Sequence, residues 1–255
     1  MIRILLFLSL LACQSNALDV DIASCESIGG DVAYDPVSYK GVTGCFILEY
    51  DNDENAGGLS RNPPVIVLYS ISSNLGVSRV GELPYPGSTG RVDDAFFLDV
   101  DNDNVAEMLV IHSADAPSTW EVAGRVYDVR VFSVDHGEIF ESKSLSRVFG
   151  LGGDQVNMAG EIVYRFPYKN RASVEAAVNS MIASLMTNEG VPGIMKEKSF
   201  FYRDASVQQR ERAYVVAGDS VVVDDTTAGW CKATYEGKSR RTTAWLRCDA
   251  ISFEQ

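Results

Sequence analysis

The sequence predicts a mainly β protein with one amphipathic helix. Short β-branched and aromatic runs recur along the chain, clusters of Gly, Asn, Asp and Pro divide them, and a single segment carries helical periodicity. The runs are, in order, GCFILEY (44–50), PPVIVLYSI (63–71), AFFLDV (95–100), EMLVIHS (107–113), YDVRVFSV (127–134) and EIVYRF (161–166). Dividers such as DNDENAGGLSRNPP and ELPYPGSTGR are rich in residues that end strands and make turns. VDHGEI reads as a hairpin turn in which Gly137 is free to take a positive φ. The helical segment is SVEAAVNSMIASLM (173–186), which sets Val174, Val178, Met181, Ile182 and Leu185 on one face. Ser173 is its candidate N-cap and Gly190 lies just beyond its end, so it is expected to cover a sheet. NEGVPG (188–193) then reads as a linker.

The first seventeen residues, MIRILLFLSLLACQSNA, carry one early cation, Arg3, and then a nine-residue apolar core from Ile4 to Ala12. That core is too short to span a bilayer and reads as a secretory signal, 1–17. A second cleavage is open: Leu10-Leu11-Ala12-Cys13 resembles a bacterial lipobox, with Leu11 a departure from it. There Cys13 would be lipidated and become the mature N-terminus. The expected location is the periplasm, or the outer membrane by way of that anchor. The charge is one-sided, 22 Lys and Arg against 35 Asp and Glu, a net −13. Such a chain repels nucleic acid and anionic membrane surfaces and attracts cationic partners.

FFLDVDNDNVAEMLVIH (96–112) places Asp99, Asp101 and Asp103 at alternate positions, with Glu107 at the ninth position of the loop. Calcium takes several oxygens at once, and carboxylates at positions 1, 3 and 5, the carbonyl of Val105 at 7 and a later acid supply them. An EF-hand needs Glu at position 12, where this chain has Val110 within a strand, so a helix–loop–helix site is excluded. The loop resembles the strand–loop–strand calcium loops of FG-GAP and VCBS-type repeats, whose last acid sits at position 9. Asn104 stands where those loops place Gly, and Asn tolerates the left-handed region better than most residues. Two other readings of the acids are a solvated edge-strand face and an acid–base pair, though one loop cannot flank a substrate from two sides. No second copy recurs at a fixed period, so a propeller built of repeats is not expected. A single such loop in an exported β-domain resembles a group of small bacterial envelope proteins, some of which inhibit lysozymes or confer immunity to peptidoglycan-cleaving toxins.

From about Ile194 the chain reads as a separate small β-domain, 194–255. Ala213-Tyr214-Val215-Val216 runs into Gly218-Asp219 and Val221-Val222-Val223, followed by Gly229-Trp230-Cys231-Lys232, Tyr235 with Gly237, and Ala244-Trp245-Leu246. This segment resembles the bacterial SH3-like (SH3b) family, with Ala244 where that family usually has Gly. The resemblance implies a small SH3-like barrel in which the two Trp strands pair as a hairpin. It also implies a candidate peptidoglycan groove at Trp230, Tyr235 and Trp245, unless the two Trp side chains fill the barrel core. The larger domain is then 18–190. Cys25, Cys45, Cys231 and Cys248 allow three connectivities, and 25–45 with 231–248 is expected because each pair lies within one domain. Disulfides agree with an oxidising compartment.

No G-x-S-x-G, H-E-x-x-H or P-loop motif is present. GLGGD (150–154) is glycine-rich with no helix expected after it, and Phe166-Pro167-Tyr168 reads equally as a packed corner or a binding edge. His112 reads as a core residue of its strand and His136 as a solvated turn residue. The expectation is a non-catalytic inhibitor or immunity protein that neutralises a basic toxin or wall hydrolase. The alternatives are a peptidoglycan-binding module and a calcium-dependent carbohydrate or adhesion protein.

Overall fold

The computed structural model describes residues 25–50, 63–83, 88–179, 185, 190–238 and 240–253. Residues 1–17, read from the sequence as a secretory signal, and with them Cys13, lie outside the described residues. Among the described residues the chain is mainly β, as expected, and its strands form three antiparallel sheets. The first is a meander of β1 (Asp31–Tyr39), β2 (Val42–Glu49), β3 (Val65–Ser72) and β4 (Gly76–Leu83). The second contains β5 (Arg91–Leu98), β6 (Glu107–Asp115), β7 (Val122–Asp135), β9 (Leu151–Val156) and β10 (Ile162–Tyr164). Its order is β10-β9-β7-β6-β5, and the short β8 (Glu138–Glu141) folds back on β7. The β7–β8 turn is the expected hairpin: His136 and Gly137 take φ of 48° and 90°, the two positive values that a tight two-residue turn requires.

The second sheet is the middle layer. Met108, Val110, Ala95 and Phe132 face the first sheet and pack on Phe46, Leu68 and Leu83. Leu109, Ile111, Val129, Val131 and Phe96 point the other way, into a core closed by both helices. Covered on both faces, β6 is buried from Glu107 to Ala114, which is why its sequence is a continuous apolar run rather than an alternation. The covering helices are α1 (Lys143–Phe149) and α2 (Arg171–Ala177).

The helical region departs from the expectation in two ways, its cap and a second helix. The cap of α2 is Asn170, whose side chain accepts the Ser173 N–H; Ser173 sits inside the first turn and its hydroxyl donates to the Asn170 carbonyl. Val174 and Val178 are the buried positions, and most of 180–189 lies outside the described residues. α1 was not expected, and it places Leu145, Val148 and Phe149 in the same core. Arg171 fixes α2 to β5 with a two-pronged ion pair to Asp94 at 2.8 and 2.9 Å.

The third sheet holds β11 (Val191–Met195), β12 (Ser199–Tyr202), β13 (Arg210–Val215), β14 (Ser220–Thr227), β15 (Trp230–Glu236), β16 (Arg241–Arg247) and β17 (Ile251–Phe253). Val191 to Gly193, read as linker, are strand: they pair with Val223, Val222 and Val221 of β14. Among the described residues hydrogen bonding runs β13-β12-β16-β15-β14-β11-β17, without a pairing that closes β13 on β17. That sheet curls around one core, because Met195, Phe201, Val215, Val221, Leu246 and Ile251 from six of its strands share a single cluster. The two Trp strands pair in register, Trp230 opposite Arg247 and Lys232 opposite Trp245. The disulfides are Cys25–Cys45 and Cys231–Cys248, with Cα separations of 5.5 and 5.1 Å.

Candidate metal centre

β5 and β6 are antiparallel neighbours that pair as far as Leu98 opposite Glu107, so residues 99–106 form a strand-to-strand loop over the end of the middle sheet. Its winding follows from its own side chains. Asp99 accepts the N–H groups of Asp103 at 3.2 Å and Asn104 at 3.0 Å, and Asp101 accepts Asp103 N–H at 3.3 Å. Asn102 and Asn104 take φ of 61° and 69°, the left-handed region that Asn tolerates at low cost. Each Asp at an odd position thus turns back on the backbone two to five residues ahead, which is the local chemistry that favours Asp and Asn in turns.

The carboxylates of Asp99, Asp101 and Glu107 converge, each offering an oxygen such that all lie within 4.8 Å of one another. Two oxygens bound to one calcium at about 2.4 Å can be no more than about 4.8 Å apart, so the convergence is compatible with a shared cation. The donor set is all oxygen, which suits a hard cation and not zinc. Asp103 stands outside this group and accepts the Val105 N–H at 2.7 Å. Of the five predicted ligand positions the structure therefore gathers three carboxylates, with Asp103 and Val105 on the same loop.

Glu107 is the unusual member. It is 4% exposed, and its carboxylate accepts the Val100 N–H at 2.9 Å. Burial pushes its pKa up to about 7; the Val100 N–H opposes this, while Asp101 and Asp103 add to it. Asp101 is also raised, by burial and then by Asp103. Val100 itself is fully buried in the core beneath. A cation held by Asp99, Asp101 and Glu107 would tie the loop to the middle sheet and favour the ionised forms of Glu107 and Asp101, which burial and neighbouring acids disfavour. The spacing of the acids was legible in the sequence, whereas the burial of Glu107 was not.

Of the two readings left open for the aromatic trio, groove or packed core, Trp230 takes the second, and the three side chains do not share one cluster. Trp230 is fully buried, stacked on Tyr164 with ring centres 5.1 Å apart and edge-on to Tyr202 at 4.9 Å. It belongs to the core beneath the helices of the larger domain, and the Tyr164 hydroxyl donates to the Ala228 carbonyl beside it. Trp245 is partly buried against that same core, but Tyr235 packs against the separate core of the third sheet. Phe166 and Tyr168 are a packed corner, 2% and 3% exposed. The glycines of GLGGD have a packing reason: a Cβ on Gly152 would meet the Phe166 ring at 2.5 Å, and one on Gly153 the Arg125 carbonyl oxygen at 2.6 Å.

His112 is 1% exposed, and its Nε2 lies 3.3 Å from Asp128. Burial raises the Asp128 pKa, but the neighbouring His112 and Arg130 outweigh it and leave the group below its ordinary value. His136 is exposed on the β7–β8 turn. Among the described residues no helix is long and apolar enough to cross a membrane. Compared with protein-family models, with curated proteins and with solved structures, the chain matches none.

Proposed function

We infer that the chain is an exported, non-catalytic binding protein of the bacterial envelope that neutralises a basic protein, a toxin or a peptidoglycan hydrolase. The observation that carries the partner's chemistry is the distribution of charge. Residues 18–190 hold 26 acidic and 11 basic residues, whereas 191–255 hold 9 acidic and 10 basic. The larger domain is an acidic body, and its long-range field accelerates encounter with a cationic protein and weakens as salt screens it. Two disulfides support an oxidising location. Calcium at Asp99, Asp101 and Glu107 has a structural part in this reading, holding the β5–β6 loop on the middle sheet.

Deleting the gene, with and without its genomic neighbours, tests the reading. The deletion should be toxic only while an adjacent toxin or wall hydrolase is produced, and the purified pair should bind more tightly at low salt than at high salt. A deletion without effect in both backgrounds, together with binding that salt does not weaken, would refute it.

A further inference from the structure

Where the third sheet meets the larger domain, two adjoining cavities of about 400 and 510 Å³ share Glu121 and Gln208. Their size falls in the ordinary range of ligand sites, and their position between two units is where such sites concentrate. The cleft is built from both units. Gln155 of β9 accepts the Val207 N–H at 3.3 Å through its side-chain oxygen, and the Gln208 side-chain amide donates to the Glu121 carboxylate. Glu121 is itself fixed, since its carbonyl accepts the Val156 N–H at 3.0 Å. Each carboxamide is thereby anchored through one of its two polar atoms, and a carboxamide carries both a donor and an acceptor.

Trp120 sits on the rim of the smaller cavity, 40% exposed, in a turn held by its own N–H on the Pro117 carbonyl at 2.9 Å. Thr119 and Ser206 add hydroxyls there. The larger cavity continues past Asn157 to Tyr202, whose ring is braced by Trp230, and to Arg210. Glu121 and Arg210 offset each other, so the cleft does not select a polyanion or a polycation. A half-exposed indole offers a flat apolar face, and the polar groups around it both donate and accept. That combination matches a neutral chain of pyranose rings, with C–H faces for the indole and hydroxyls for the carboxamides, the carboxylate and the guanidinium.

We propose that this cleft binds a neutral oligosaccharide, with Trp120 as the stacking platform and Glu121, Gln155 and Gln208 as the hydroxyl-reading groups. The site is independent of the charge-driven partner binding inferred above. Calorimetric titration of the mature, disulfide-intact protein with two probes, a β-1,4-linked glucose tetrasaccharide and its N-acetylglucosamine counterpart, tests it. Saturable binding of at least one is expected, weakened about tenfold or more by Trp120→Ala and again by Gln208→Ala. Both positions are exposed, and unchanged melting temperatures would show that the variants still fold. If neither sugar binds, or if Trp120→Ala binds as well as the native chain, the proposal is wrong. It is equally wrong if an extended peptide with apolar side chains occupies the cleft and the sugars do not displace it.

Discussion

Glu107 combines burial, a single backbone donor and two acidic neighbours, and these fix the sign of its pH dependence. Its pKa in the folded protein is about 7 against an ordinary 4.5, so the fold disfavours its ionised form. A group raised in this way contributes its full stability below the ordinary carboxylate range and loses it as pH rises through 7. For the calcium-free protein the loss at about pH 8 is up to about 3 kcal/mol. Glu107→Gln should therefore raise the calcium-free melting temperature near pH 8 and flatten the decline between about pH 5 and 8, the opposite of what most buried substitutions do. The same variant should no longer gain stability from added calcium, whereas the native chain should. Thermal unfolding in chelator and in calcium checks both halves, and a variant that melts lower than the native chain in chelator would contradict the first. Asp spacing is local information and could be read from the sequence. The burial of Glu107 depends on sheets and helices contributed by residues far away, and no spacing announces it.

At the level of elements, legibility followed burial. The six apolar runs all lie on strands, because covering one or both faces writes itself into the sequence. β1 and β4 carry no such signal: they are the two edges of the first sheet, largely exposed or half-exposed, and β1 includes Pro36. α1 spans only two turns, too few for its apolar face to stand out as a period. β9 was hidden by its glycines, which are small because Phe166, Val122 and Arg125 crowd against them from other elements. Gly152→Ala should therefore destabilise the protein by about 1–3 kcal/mol, since the new methyl must displace the Phe166 ring or the strand. Urea denaturation measures this, and a stability equal to or above that of the native chain would contradict the packing account.

For the whole molecule the decisive residue is Trp230, which the sequence left open between groove and core because both uses call for an aromatic at that place in the hairpin. Its neighbours Tyr164 and Tyr202 come one from each unit, and the Arg147–Asp225 ion pair at 2.8 Å spans the same junction. Two sheets that share a buried tryptophan should unfold together. Far-ultraviolet circular dichroism and tryptophan fluorescence are expected to report one coincident transition in denaturant. Trp230→Ala should cost about 3–5 kcal/mol and destabilise both units, and two separated transitions in the native chain would refute the coupling. The shared core also sets an order of events. Residues 25–179 precede Trp230 in the chain, so the core that they build lacks one of its large side chains until the third sheet supplies it. A fragment truncated before Trp230 leaves the Tyr164 side of that core open and exposes apolar surface of the kind that chaperones and proteases recognise.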